Sequence, residues 1–337
     1  MQAIVLRELG GPEKLRWEEV PDPVPGPGEV LVRLKAAALN RRDVYARLGQ
    51  YPGIRLPGIP GSDGSGVVAG LGAGVVGWAD GQAVIIDPSL HWGPNPRYYG
   101  DGFSILGIPV NGTFAQYVVV PAENVYPKPD HLSWEEAAAL PLAGVTAYRA
   151  LFTRGRLRRG ETVFLPGIGG GVALTALAMA VAAGARVYVS SKSSEKLDRA
   201  MAVGAAGGVL YTTEGWARAL KAQVGAGFDL LVDSVGGDTF AQLVALARPG
   251  ARIVVFGATA GPVNNLVMPR LFFKQLDVRG STMGSPVDFT SMLAFVTEHQ
   301  LRPVIDRVLA LEDVGEAEVL MERGELFGKM VFRIPGV

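Results

Sequence analysis

The sequence predicts an α/β protein with a β-rich domain and a doubly wound parallel-sheet domain. Three observations carry this. The first part of the chain is a succession of short aliphatic strands with few helical patterns. From His131 onward, strands alternate with helices. Between the first strand and first helix of that alternation lies a glycine-rich loop, Pro166 to Gly171. At 337 residues the chain has length enough for two cores.

Ala3-Ile4-Val5-Leu6 and Glu29-Val30-Leu31-Val32-Arg33-Leu34 read as strands, the second preceded by the turn cluster Pro21 to Gly28. Further strands are expected at 65–70, 82–86 and 113–120. Residues 88–112 show no element, and loops of that length are usually functional or disordered. Ser133-Trp134-Glu135-Glu136 fits a capping box opening a helix. Strands follow at 161–165, 186–189, 208–210, 230–232 and 252–256, with helices at about 172–183, 194–203, 216–223 and 240–246. After Ser281 come one helix, about 289–298, and mixed elements too few to fold alone. The expected domains are therefore 1–125 with 284–337, and 126–283.

Net charge is zero, which argues against general attraction to nucleic acid or anionic membrane. The chain has no cysteine, so disulfides and thiolate-held metal are excluded. The start, Met1-Gln2-Ala3-Ile4-Val5-Leu6-Arg7, reads as a strand and not a signal peptide. The apolar stretch 169–185 is broken by glycines and too short for a span. A cytoplasmic, soluble protein is expected, with no membrane or nucleic-acid partner. His131 and His299 read as solvated.

Strand Glu161-Thr162-Val163-Phe164-Leu165 runs into Pro166-Gly167-Ile168-Gly169-Gly170-Gly171-Val172-Ala173. Glycines let backbone approach a pyrophosphate whose charge faces the next helix N-terminus. The G-x-G-x-x-G pattern fails literally, with Ile168 at its first position, and Gly167 and Gly169 supply the freedom instead. Gly169, Gly170, Gly171 and Val172 are the candidate phosphate-binding residues; the alternative is a tight turn without ligand. About twenty residues on, NAD enzymes place an acid on the ribose. Here the chain reads Ser190-Ser191-Lys192-Ser193-Ser194-Glu195-Lys196. With Ser191 and Lys192 in place of an acid, a 2′-phosphate fits and NADPH is the expected cofactor; the plain alternative is a helix cap with solvated lysines.

Several segments together resemble the medium-chain dehydrogenase/reductase superfamily, within it the zinc-free quinone oxidoreductase branch. They are Ala38-Leu39-Asn40-Arg41-Arg42-Asp43-Val44-Tyr45, Pro60-Gly61-Ser62-Asp63-Gly64-Ser65-Gly66, Gly112-Thr113-Phe114-Ala115-Gln116-Tyr117, Pro141-Leu142-Ala143-Gly144-Val145-Thr146-Ala147-Tyr148, Asp233-Ser234-Val235-Gly236-Gly237 and Phe256-Gly257. The resemblance spans essentially the whole chain and implies a GroES-like catalytic domain with a Rossmann cofactor domain. Zinc enzymes of the superfamily carry a ligand cysteine at the place of Asn40, a ligand histidine at Ser62 and a glutamate at Asp63. A serine hydroxyl is a poor zinc ligand, so no metal is expected. In place of a zinc-binding lobe, residues 88–112 carry His91, Trp92, Pro94, Tyr98, Tyr99 and Phe103, expected to pack as an aromatic and proline staple.

By the same resemblance Asn40, Tyr45 and Tyr51 line the substrate cleft with Asp63 beside them. Thr146 lies against the nicotinamide. Ser234, Val235, Gly257 and Ala258 carry the cofactor, and Lys196 and Tyr211 lie near the adenosine phosphate. A homodimer is implied, joined through strand Leu276-Asp277-Val278-Arg279-Gly280. Blander roles stand beside these: Asn40 as a helix cap, Tyr45 as core, Asp63 as purely structural. The expected activity is zinc-independent reduction of quinones or activated enones, with Asn40 and Tyr45 as candidate donors to the developing oxyanion. The alternatives are an alcohol or aldehyde dehydrogenase, and a non-catalytic nucleotide- or RNA-binding protein on the same fold.

Overall fold

The computed structural model describes residues 1–336. It divides into two compact units, Met1–Ala143 with Ser285–Val337, and Gly144–Gly284.

The first unit is built on a seven-stranded sheet. Its path runs Ile305–Ala310, Lys329–Arg333, Glu29–Ala38, Asp63–Leu71, Ala83–Ile86, Val125–Pro127, with Tyr117–Pro121 also pairing Glu29–Ala38. All of these pairings are antiparallel except that of the two C-terminal strands. Glu29–Ala38 shows why it forms a strand: through most of its length buried and half-buried residues alternate, placing Val30, Val32 and Leu34 in one core. The C-terminal strand lends Met330 and Phe332 to a second core with Ile4, Leu39 and Phe114. Strands Ile305–Ala310 and Lys329–Arg333 thus complete the sheet that Glu29–Ala38 begins.

The boundary lies later than the sequence suggests. Residues 126–143 belong to the first unit, because helix Trp134–Ala139 presents Ala138 and Ala139 to Ala36, Ala38 and Val331. Ser65 Oγ also donates to Trp134 O at 2.7 Å. Residues 113–116 precede the strand that begins at Tyr117; their backbone bonds to Pro60, Gly61, Gln2 and Ile4, and Gln116 O accepts from Leu34 N.

Residues 88–112 hold a small ribbon, Ser89–Leu90 against Ser104–Ile105. Trp92, Tyr99 and Phe103 pack ring on ring, with centroids 4.5–5.9 Å apart. Tyr98 stays 64% exposed and takes no part in that staple. His131 is not merely solvated: its Nε2 lies 2.9 Å from Leu301 O. The His299 ring lies against Phe295, with centroids 4.3 Å apart and planes tilted by 47°.

The second unit is a parallel sheet of six strands in spatial order Gly207–Leu210, Arg186–Ser191, Thr162–Leu165, Phe228–Asp233, Ala247–Val255, Asp277–Gly280. Numbered along the chain this is order 3-2-1-4-5-6, the doubly wound arrangement. Phe228–Asp233 is buried at every residue, as a parallel strand covered on both faces is. The strand order reverses between Thr162–Leu165 and Phe228–Asp233, and ligands of such sheets bind beyond the carboxyl ends there.

Candidate active site

At the carboxyl end of Thr162–Leu165 the chain turns through Gly167, φ +69°, and Gly169, φ +139°, into helix Gly171–Ala182. These dihedrals are open to glycine and strained for other residues. Gly170 is the N-cap, and a Cβ there would meet no protein atom within 4 Å. The loop is held from below by Ile168 N donating to Ser190 O and Gly167 N to Ser190 Oγ.

The other cofactor candidates stand at the ends of neighbouring strands. Ser234 and Val235 follow Phe228–Asp233, and Gly257 and Ala258 follow Ala247–Val255. The two pairs meet: a side chain at Gly257 would fall 3.1 Å from Ser234 O. Asp233 Oδ1 accepts from Val235 N at 2.8 Å and shapes this turn. Burial raises the Asp233 pKa, opposed by bonds from the Val235 and Gly236 amides. Ser191 ends its strand, with Oγ accepting from Ser193 N, while Lys192 is exposed and Lys196 half-buried. Tyr211 N donates to Ser191 O, which brings Tyr211 beside that strand end. Thr146, on helix Pro141–Tyr148, is 5% exposed, and its Oγ1 has no protein partner. An orphaned buried hydroxyl is costly unless a ligand satisfies it. The open glycine turn, the strand-end residues and this hydroxyl together fit a dinucleotide.

In the first unit, Asn40 joins strand Glu29–Ala38 to helix Arg41–Arg47, Asp63 opens the paired strand Asp63–Leu71, and Ser62 immediately precedes it. Asn40 precedes helix Arg41–Arg47, and its N donates to Asp43 Oδ2 at 2.9 Å. Its side chain is engaged elsewhere. Asn40 Nδ2 donates to Asp63 Oδ2 at 2.9 Å, and Asn40 Oδ1 accepts from Lys329 Nζ at 2.6 Å. Lys329 Nζ also donates to Asp63 Oδ2 at 2.9 Å and Leu39 O at 2.7 Å. The remaining Asp63 oxygen accepts from Leu142 N at 2.8 Å. Asp63 is 0% and Lys329 4% exposed.

Ser62 is served by a second cation. Arg42 Nη1 donates to Ser62 Oγ at 2.8 Å and to Leu106 O and Gly107 O, and Nη2 to Ile108 O. The same guanidinium stands 4.7 Å over the Tyr51 ring, within cation–π range. Asp43 lies 3.6 Å from Arg42. Its pKa is pushed up to about 6, chiefly by burial, with Arg42, Asn40 N and Lys329 pulling it down and Asp63 raising it. Two cations and two carboxylates thus balance in one buried cluster. Tyr45 is half-buried on the same helix, and its hydroxyl makes no hydrogen bond among the described residues.

This donor set does not fit a zinc ion. An amide, a hydroxyl and one carboxylate offer a single strong ligand, and that carboxylate already accepts from an ammonium. Among the described residues no group of three or more His, Cys, Asp or Glu is placed to hold a metal. Lys329, Arg42 and Leu142 are the members of the site that the sequence did not single out.

Residues 26–130 match the family model described as alcohol dehydrogenase GroES-like domain, and residues 171–298 that of a zinc-binding dehydrogenase. The zinc-type alcohol dehydrogenase-like protein YogA of Leptosphaeria maculans is 38% identical over 95% of this chain and 94% of its own. A solved structure of an NAD-dependent alcohol dehydrogenase superimposes with TM-score 0.94 at 41% identity, covering 99% of both chains. Crotonyl-CoA carboxylase/reductase AntE, solved in complex with NADP, gives TM-score 0.90 at 25% identity over 99% of this chain and 94% of that one. A GroES-like domain joined to a nucleotide-binding Rossmann domain defines the class. The chain belongs to the medium-chain dehydrogenase/reductase superfamily and is an oxidoreductase with an NAD(P)-binding domain. No helix among the described residues is long and apolar enough to cross a membrane.

Proposed function

We propose that the protein is a zinc-independent, NADPH-dependent reductase of quinones or activated enones. The observation that carries this is the Lys329 ammonium bonded to Asn40 and Asp63, two of the three residues at positions that hold ligands in zinc enzymes. Bound NADPH supplies a hydride. Gly169, Gly170, Gly171 and Val172 would hold its pyrophosphate, Ser191, Lys192, Lys196 and Tyr211 its adenosine end, and Thr146, Ser234, Val235, Gly257 and Ala258 the rest.

An alcohol substrate must shed a proton as hydride leaves, which a Lewis acid assists. A conjugated carbonyl spreads the charge that appears when hydride is added, so donors alone suffice to stabilise it. Tyr45 is the favoured donor, because its hydroxyl has no other partner. Asn40 has one N–H committed to Asp63 and a second with only a long 3.5 Å contact to Ala38 O. Tyr51, fixed beneath Arg42, offers an aromatic wall for a flat substrate. The 41% identity to a chain named for NAD-dependent alcohol oxidation favours a second reading, alcohol oxidation with NAD.

The test is a panel of quinones, enones and alcohols assayed with both cofactors. Faster turnover of quinones or enones with NADPH is expected. Turnover confined to alcohols with NAD would sink the first reading and leave the second.

A further inference from the structure

Lys329 does more than fill space in the first unit. All three ammonium donors are used, on Leu39 O, Asn40 Oδ1 and Asp63 Oδ2. Both Asp63 oxygens are used as well, Oδ2 by Lys329 and Asn40 and Oδ1 by Leu142 N. Leu142 stands in the first turn of helix Pro141–Tyr148, whose amides have no partner within the helix. Thr146, with its orphaned hydroxyl, follows one turn later on the same helix. A continuous set of bonds therefore runs from Lys329 through Asp63 to the start of the helix that carries Thr146, and a branch runs to the Asn40 amide.

We infer that Lys329 is a positioning residue. Its ammonium fixes the rotamer of Asp63 and the amide orientation of Asn40, and through Asp63 it pins the N-terminus of helix Pro141–Tyr148. A carboxylate shared between three donors from three segments has one favourable orientation. Without the ammonium, Asp63 keeps a charge that only two neutral donors meet, in a site closed to water. The inference needs the oxidoreductase activity only for its kinetic test, and that test rests on the quinone and enone reading.

The experiment compares the wild-type protein with Lys329→Met and with Lys329→Met/Asp63→Asn, which removes the stranded carboxylate in case the single variant fails to fold. Amide hydrogen exchange is followed in peptides covering 141–148 and, as an internal reference, 162–165. Exchange in 141–148 is expected to quicken about tenfold in each folded variant, with 162–165 unchanged. For the kinetic arm, kcat for NADPH oxidation falls tenfold or more while the cofactor dissociation constant stays within twofold. Unchanged exchange in 141–148, or an unchanged kcat in the double variant, overturns the positioning role. A wild-type protein that turns over no quinone or enone defeats the functional reading instead, and the exchange measurement then decides this inference alone.

Discussion

Lys329 Nζ donates to Asp63 Oδ2 at 2.9 Å across 266 residues of chain. A buried ion pair is worth keeping only when its other hydrogen-bonding capacity is met, since desolvation otherwise exceeds the attraction. Here it is met in full, by Leu39 O, Asn40 and Leu142 N. Arg42 bonds Ser62 and the carbonyls of residues 106–108 through Nη1 and Nη2, while its Nε has no partner. The positions that by the resemblance correspond to ligands of zinc enzymes are bonded here to side-chain cations.

Activity is accordingly expected to survive exhaustive chelation. Tyr45→Phe should lower kcat more than chelation does, by up to about a hundredfold if the hydroxyl acts as an oxyanion donor. Steady-state rates before and after dialysis against a chelator, with metal content measured, check this. Loss of turnover on chelation and its return with added zinc would show that the reaction depends on a bound metal.

NADPH is expected to bind more tightly than NADH. No acid ends strand Arg186–Ser191, and Lys192 and Lys196 follow it. A lysine–phosphate bond commonly contributes about 1.5–3 kcal/mol, or roughly ten- to hundredfold in affinity. Lys192→Ala should erase much of that preference while leaving NADH affinity nearly unchanged. Calorimetry that finds equal affinities in the wild type would refute it.

Much of the fold was legible because it rests on local signals. Ser133 and Glu136 form the expected capping box, Glu136 N donating to Ser133 Oγ and Ser133 N to Glu136 Oε2. The alternating strands and helices from 161 onward follow period and glycine punctuation. What stayed hidden was non-local. Lys329 opens a strand that continues Met330-Val331-Phe332, where a lysine ordinarily marks an exposed end. Only the pairing of Lys329–Arg333 with Glu29–Ala38, and of that strand with Asp63–Leu71, brings it to Asp63. The domain boundary was displaced for a similar reason. A capped helix beginning at Trp134 looks like the start of an alternating domain until its alanine face is seen to fit the small residues Ala36 and Ala38.

A homodimer through the edge of the six-stranded sheet is expected. Strand Asp277–Gly280 ends that sheet, leaving one row of backbone groups open to pairing. Around it in sequence lie exposed apolar side chains: Val267, Met268, Phe272, Phe273 at 79% and Val278. So many exposed apolar residues close together in one segment mark an interaction surface. Light scattering should report a dimer at micromolar concentration, and Phe273→Asp should shift it toward monomer with the far-UV spectrum unchanged. A wild-type monomer under those conditions would count decisively against this surface.

The last prediction concerns Asp87, a carboxyl at 0% exposure in the first unit. Burial pushes its pKa up to about 7; the Ser89 N–H bonded to Oδ1 pulls it down, and Asp288 raises it. Its Oδ2 has no protein partner, and neither has Oδ1 of Asn124, whose Nδ2 donates to Asp87 O. An unfolded chain ionises Asp near pH 3.9. Between about pH 4 and 7 the folded protein therefore holds a proton that the unfolded one has lost. Stability from this group falls as pH rises through that window, and the full cost is present above it. Asp43, at about 6, and Glu318, raised by burial to about 7, act in the same direction. Asp87→Asn removes the titration. The variant should be more stable than wild type at pH 8, by on the order of 1–3 kcal/mol. That gain should shrink steadily as pH is lowered toward 4. Denaturant unfolding of both proteins across pH 4–8 measures it, and a difference that stays constant over the range would exclude a proton on Asp87 as its cause.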